Sequence, residues 1–284
     1  MQQGLSNDPD KSDHLGVLIP AHNEESVIAA CLSSLLGVSS AMPKLQVVVA
    51  ANGCTDDTVS IARSFAADFV SKGWSLEVLD LKSPGKIAAI NTADAQISCG
   101  SRVFLDADVL VDPELLGQLA QALSDPEPVY ASGTMQVVRP KSWISRLYLT
   151  AWQMTGFMNA PAQGAGLFAV NAAGRKKWQQ LPDVISDDTY IRTLFKPSER
   201  KEVAARFYWP LPEGFGNLVR ARRRQDAGMR QLHQLYPDQM ANEAKPRNRV
   251  WGSMFTHPAG FLVYVAVRVV ARLKRNTDTW ARGR

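Results

Sequence analysis

The sequence predicts an α/β fold: a mostly parallel, Rossmann-like sheet sandwiched by helices, with a helical C-terminal extension. Three observations carry that prediction. Short apolar runs alternate with helix-spaced segments from Leu15 to Asp108. The connecting loops are brief and rich in Asn, Asp, Gly and Pro. The 284 residues, 45% hydrophobic and 21% charged, can bury a sizeable core and sit near the globular average, which excludes disordered, collagen-like and coiled-coil classes.

The elements follow in order. The first 14 residues are polar with both signs of charge; they predict a disordered tail and lack the basic-then-apolar order of a secretory leader. LGVLIP (Leu15–Pro20) is a continuous apolar run closed by proline, the pattern of a strand buried on both faces. In EESVIAACLSSLLG, Val27, Ile28, Cys31, Leu32, Leu35 and Leu36 fall at helical spacing, and Gly37 supplies a stop. LQVVVAA (Leu45–Ala51) is a second strand, followed by a helix near 58–67. SLEVLDL (Ser75–Leu81) is a third, followed by a helix near 86–97 and the strand RVFLDAD. Each crossover should be right-handed. DPELLGQLAQAL predicts a helix with Asp112 as N-cap and Pro113 at its first position. VYASGTMQVV reads as a strand, 143–157 as an aromatic-rich helix, Gly164–Val170 as a strand or loop edge, and SDDTYIRTLF as a helix with a cap at Ser186. From about Gly214 the chain reads as helices. The organisation expected is a tail over 1–14, a catalytic domain over 15–225 and a basic helical extension over 226–284.

Four groups of residues carry chemistry. Asp106-Ala107-Asp108 closes an apolar strand. Ligands of open parallel sheets bind beyond the carboxyl ends of strands, and paired carboxylates there suit a hard divalent cation held with diphosphate oxygens. The loops IPAHNEE, ANGCTDDT and SPGKIAAIN open on the same side and bring Asn23, Glu24, Asn52, Asp56, Lys86 and Asn91 toward one crevice. Turn and cap chemistry would explain any one loop alone. Asp187 and Asp188 repel, so burial would raise the proton affinity of one toward neutrality, which suits a general base; capping of a helix dipole is the other reading. Arg220, Arg223 and Arg224 share a helix face whose guanidiniums either match phosphate oxygens or are solvated.

Charge and cysteine content narrow the setting. The net charge is +5, and the excess is local: residues 241–284 hold nine Lys or Arg against two Asp or Glu. Such an end meets nucleic acid, anionic lipid or phosphate, or is a solvated tail. No nucleic-acid motif accompanies it. Three scattered cysteines, Cys31, Cys54 and Cys99, suit a reducing, cytoplasmic setting. HPAGFLVYVAVRVVARLKR (His257–Arg275) holds an apolar run too short to span a bilayer, with Arg268, Arg272 and Arg275 at helical spacing. It fits a helix lying at the inner face of the cell membrane or a core helix packed on the domain. His22, His233 and His257 read as structural rather than as metal ligands. The aromatics of 143–152 either line an acceptor site or pack in the core.

Taken in order, IPAHNEE, VVVAANGCTDDT, PGKIAAIN, FLDADV, GAGLFAV and ISDDTYI resemble the family 2 glycosyltransferases of GT-A fold, over about Leu15 to Arg224. The resemblance implies an inverting transfer from a nucleotide-sugar donor, UDP by default, to the hydroxyl of a sugar or lipid-linked acceptor in cell-envelope or exopolysaccharide synthesis. It implies donor contacts at Pro20, Ala21, Asn23, Glu24, Asn52, Asp56, Lys86, Asn91 and Asp106. It implies Mg²⁺ or Mn²⁺ on Asp108, with Asp106 beside it. Asp188, next to Asp187, becomes the base, and Gly164, Ala165 and Gly166 border the acceptor. Arg220, Arg223 and Arg224 stand where processive synthases carry Gln-x-x-Arg-Trp and would clamp the diphosphate, so a single transfer is expected. Ala51-Asn52-Gly53 stands where the family often has two aspartates and a glycine. The competing reading is a non-catalytic nucleotide-sugar or membrane-surface binding protein on the same scaffold. A sugar-phosphate nucleotidyltransferase would need a Gly-rich basic loop after the first strand, which IPAHNEE lacks.

Overall fold

The computed structural model describes residues 14–39, 44–243 and 249–273. Most of the expected tail and Arg275 lie outside them. Four strands and the helices between them come first: β1 (His14–Ala21), α1 (Ile28–Leu36), β2 (Lys44–Asn52), α2 (Thr58–Ser64), α3 (Ala66–Ser71), β3 (Ser75–Leu81), α4 (Lys86–Gln96) and β4 (Ser101–Leu105). Then come β5 (Leu110–Val111), α5 (Leu115–Ala122), β6 (Tyr130–Val138), α6 (Trp143–Trp152), β7 (Leu167–Val170), α7 (Ala172–Arg175), α8 (Asp187–Thr193) and β8 (Arg200–Pro210). The chain continues through α9 (Phe215–Leu235), α10 (Ser253–Thr256) and α11 (Pro258–Leu273).

The strands form one sheet in the order β3-β2-β1-β4-β7-β6-β8-β5. β3, β2, β1 and β4 are mutually parallel, with Leu15 level with Leu45 and Val17 with Val103. β7 runs against both β4 and β6, and β5 runs against β8. Successive residues of the central strands point to opposite faces, as the two-residue period requires. Val17, Val47, Val49 and Val103 join one core with α1 and α5, while Leu18, Val48, Ala50 and Phe104 join another with α4 and α8. A third cluster, built from α6, α9 and α11, holds Tyr148, Trp152, Val219, Tyr264 and Val267. The aromatics Tyr148 and Trp152 are therefore core residues.

Several boundaries differ from the sequence reading. The helix expected near 58–67 breaks at Phe65 into α2 and α3. Asp112 does not cap α5: the helix starts at Leu115, and the Asp112 carboxylate accepts the Arg206 N–H at 3.2 Å instead, tying the turn to β8. Ser186 stands at the N-cap of α8 without a capping side-chain bond. The helix expected over 143–157 ends at Trp152. β8 is a strand that the sequence reading passed over. It is flanked by the short β5 and by β6, and its exposed Glu202, Ala204 and Arg206 alternate with Val203, Ala205 and Phe207, which turn to the core.

A buried ion triad fastens α4 to the sheet. Asp94 in α4 accepts from Arg102 at the start of β4 and from Arg175 Nε at 2.8 Å in α7. Asp94→Ala would leave two guanidiniums facing each other without a counter-charge. It should cost about 3–5 kcal/mol of unfolding free energy. Urea denaturation checks this, and a loss below about 1 kcal/mol, as for an exposed pair, would show that the triad is not a structural tie.

Candidate active site

An open cleft, about 310 Å³ with the space it shares with solvent, lies at the carboxyl ends of β1 and β4. Its walls are Pro20, Lys86, Ile90, Phe104, Leu105, Asp106, Gly166, Phe168, Asp187 and Asp188. Lys86 is the first residue of α4, Asp106 follows β4, and the two adjacent aspartates open α8. Lys86 Nζ lies 3.1 Å from Asp106 Oδ1 and 3.2 Å from Asp187 Oδ2, so one ammonium bridges two elements. Burial alone would push that ammonium down; the fields of Asp106, Asp187 and Asp188 overcome it, against Arg224, and hold its pKa above the ordinary lysine range.

Asp187 is buried and Asp188 is half-buried. Burial first, and then the charge of Asp187, raise the Asp188 pKa above the usual carboxylate range. Arg192, Lys86 and the Thr189 N–H, at 2.6 Å from Asp188 Oδ1, pull the other way. Arg192 lies one turn along α8, donates to the Gln163 carbonyl and pairs with Glu243 at 2.7 Å. The sequence reading missed it, although the spacing of Asp188 and Arg192 is that of helix neighbours. A carboxyl poised in this way can take up a proton from a hydroxyl placed in the cleft.

The glycine loop is built for close approach. Gly164 and Gly166 have φ of +69° and +78°. A Cβ at Gly164 would lie 1.7 Å from Tyr130 Oη, and one at Gly166 would lie 2.7 Å from Trp209 Cδ1. The Gly166 carbonyl accepts the Asp106 N–H at 2.8 Å and so fixes the turn that carries Asp106-Ala107-Asp108. Asp108 is half-buried, and its charge reaches the Cys31 thiol in α1; burial and then Asp108 and Asp106 hold that thiol protonated.

Several predicted ligand residues also fasten the loops. Asn52 is buried; its amide donates to Ala21 O at 2.7 Å and accepts the Gly85 N–H at 3.0 Å, joining the loops after β1, β2 and β3. Asn91 spends both polar ends on Leu181, at 3.0 and 2.8 Å, and so ties α4 to the segment leading into Asp187. Asn23 Oδ1 accepts the Thr55 N–H at 2.6 Å, while the Asp56 carboxylate accepts from Thr58 and from the Glu25 N–H at 3.3 Å. The Glu24 N–H donates to Thr58 Oγ1 at 2.6 Å. His22 Nδ1 meets Asn52 O at 2.6 Å, in keeping with a structural histidine. Of the basic run, Arg224 is close enough to act on Lys86, whereas Arg220 and Arg223 line a separate cavity between α9 and α11. Among the described residues no three His, Cys, Asp or Glu converge as a metal cluster.

Comparison with known proteins places this site in context. A family model described as glycosyl transferase family 2 matches residues 16–180. Glycosyltransferase AglE of Haloferax volcanii is 35% identical over 95 residues, covering 33% of this chain and 30% of that protein. This chain therefore matches less than a third of that relative's length. The mannosyltransferase PcManGT from Pyrobaculum calidifontis, solved with GDP-Man and Mn²⁺, is 19% identical with a TM-score of 0.59, covering 93% of this chain and 76% of that one. S. aureus TarS 1–349, solved with UDP-GlcNAc, is 14% identical with a TM-score of 0.53 and 91% coverage of each chain. At these identities the two structures show a shared fold.

The raised pKa of Asp188 has a stability consequence. A carboxyl that binds its proton more tightly when folded stabilises the fold below the ordinary carboxylate range, and that contribution is lost as pH rises through its folded pKa. Asp188→Asn should therefore melt above wild type at pH 8, with the gap closing below about pH 4. Calorimetric melting at the two pH values checks this, and equal melting at pH 8 would refute it.

Proposed function

Because the chain belongs to glycosyl transferase family 2, we propose that it moves one sugar from a nucleoside-diphosphate sugar to an acceptor hydroxyl, inverting the anomeric centre. The observation that carries this reading is the convergence of Asp106, Lys86, Asp187 and Asp188 on one cleft at the strand ends. Asp188 is the base that accepts the acceptor proton, and its raised pKa supports that role. Attack comes from the face opposite the diphosphate. Lys86 and Arg224 offset the negative charge that grows on the leaving nucleoside diphosphate. Pro20 walls the nucleotide side with Ala21 buried behind it, Asn23, Glu24, Asn52 and Asp56 shape its loops, and Asn91 holds the segment leading into α8. Asp106 faces the ribose, and Gly164, Ala165 and Gly166 border the acceptor.

The donor set fits a hard divalent cation. Asp106 and Asp108 present carboxylate oxygens from one half-buried turn, and Asp106 already meets a cation, the Lys86 ammonium. With no third acidic or imidazole ligand converging among the described residues, diphosphate oxygens would complete the shell. Mg²⁺ or Mn²⁺ there supplies Lewis-acid neutralisation of the leaving group. GDP-Man and Mn²⁺ in one structural neighbour, and UDP-GlcNAc in another, support a nucleotide-sugar donor and a metal.

The acceptor side of the proposal rests on α10 and α11. The inner stripe of α11, Gly260, Tyr264, Val267 and Ala271, is buried. The outer side leaves Leu262 67% and Leu273 76% exposed, and Trp251 and Phe255 beside it are 70% and 81% exposed. Arg249, Arg268 and Arg272 accompany them, and no acidic residue falls between 249 and 273. We infer that this face rests on an anionic bilayer, which would place the chain peripherally at the inner face of the cell membrane and favour a lipid-linked acceptor in envelope glycan synthesis. No helix among the described residues is long and apolar enough to cross a membrane.

Two experiments test these readings. Calorimetric titration with UDP, GDP and TDP, with and without Mn²⁺, should show metal-dependent binding of one nucleotide, abolished by Asp108→Ala. Asp188→Asn should retain that binding and lose turnover by about 10²–10⁴-fold; near-wild-type turnover sinks the base assignment. Separately, Phe255→Glu with Leu262→Glu should abolish flotation with anionic liposomes at unchanged melting temperature. Flotation by the variant would place the membrane face elsewhere.

A further inference from the structure

A second cavity lies in the seam between α9 and α11, away from the cleft. It is open to solvent on one side, spans about 500 Å³ with that open space included, and is lined by Phe215, Gly216, Val219, Arg220, Arg223 and Val270. Its chemistry is two-sided. Phe215, Val219 and Val270 make an apolar wall, while Arg220 and Arg223 bring two guanidiniums and no lining residue is acidic. The neighbouring charges are directed elsewhere: Arg222 pairs with Asp226 at 2.7 Å, and Arg224 acts on Lys86 in the cleft. Arg220 is oriented by a hydrogen bond from its guanidinium to Asn217 Oδ1. Val270 is flanked on α11 by Val269, 48% exposed on the outer apolar side, so the cavity meets the face assigned above to the bilayer.

We propose that this cavity binds the phosphate-bearing headgroup of a membrane lipid. Guanidinium forks match phosphate oxygens in pairs, and the adjoining apolar wall suits the first carbons of a lipid chain. The proposal rests on the transferase reading and deepens it: the acceptor belongs to the class of lipids that carry a phosphate. α9 links this cavity to the chemistry. From Arg220 and Arg223 the helix runs roughly 10 Å to Gly228, where a Cβ would lie 2.0 Å from the Oγ of Ser186, the residue before Asp187. A headgroup held in the seam is thus registered along a single rod against the segment that carries the base.

The full chain is tested by co-sedimentation with phosphatidylcholine vesicles containing either phosphatidic acid, a phosphomonoester, or phosphatidylglycerol at matched surface potential. Wild type should prefer the phosphatidic acid vesicles by about tenfold or more. Arg220→Gln with Arg223→Gln should lose the preference, and Val270→Trp, which fills the cavity without changing charge, should lose it too. Arg268→Gln with Arg272→Gln should weaken binding to both vesicles and keep the ratio. Equal binding of wild type to both vesicles, or a preference that survives both cavity variants, overturns the proposal. Inorganic phosphate competing as well as vesicle-borne phosphate at equal concentration would overturn the lipid source in favour of a free anion. Nucleotide titration separates the two levels of the argument. A wild type that binds no nucleotide fails the transferase reading and leaves the headgroup result standing. Loss of nucleotide binding in Arg220→Gln with Arg223→Gln would return both arginines to the donor site and overturn the headgroup site.

Discussion

Lys86 is the counter-charge on which the cleft depends. Asp106, Asp187 and Asp188 come from two separate elements, and three carboxylates drawn into a half-buried space repel one another. The ammonium stands within 3.1 and 3.2 Å of two of them and makes the grouping possible. It does so at the first residue of α4, where the helix dipole favours anions over cations. The acids outweigh the burial and the field of Arg224, which leaves the Lys86 pKa above its ordinary range. Donor site and base share one electrostatic unit, so a change at either end is felt at the other.

Around that unit polar side chains tie the loops together through backbone groups. Asn52, Asn91, Asn23 and Asp56 are read from the sequence as ligand contacts. In the fold their side chains also bond backbone groups of other segments, Asp56 through the Glu25 N–H, and hold the carboxyl ends of the strands at fixed spacing. Preorganisation of this kind lets a site act on developing charge without rearranging first.

The first half of the fold was legible because physics there is local. Leu15–Pro20 and Leu45–Ala51 are buried on both faces, and a central parallel strand gives such a short, continuous, β-branched apolar run. Asp106, Lys86, Asp187 and Asp188 were legible as strand-end and helix-start chemistry. β8 was passed over although its exposed Glu202, Ala204 and Arg206 alternate with the inward Val203, Ala205 and Phe207; it lacks the continuous apolar run of the central strands. Asp112 was misread because its cap signal is identical to that of a residue bonded to a distant strand, and only the β5–β8 pairing decides between them. Arg192 was missed because its burial comes from Gln163 and Glu243, each remote in sequence. The arginine run split between two cavities for a reason spacing cannot show: α9 lies across the seam of α11 at one end and over Ser186 at the other.

Asn52 is followed by Gly53, the pairing in which a side-chain amide is most readily lost to attack by the next backbone nitrogen. Here that nitrogen donates to Leu81 O at 2.7 Å, and the amide is held by Ala21 and Gly85. Deamidation would replace a donor with a carboxylate facing the Ala21 carbonyl, two acceptors confronting each other out of reach of water. The bonds that shape the cleft thus also protect the molecule from chemical ageing at one of its most vulnerable dipeptides.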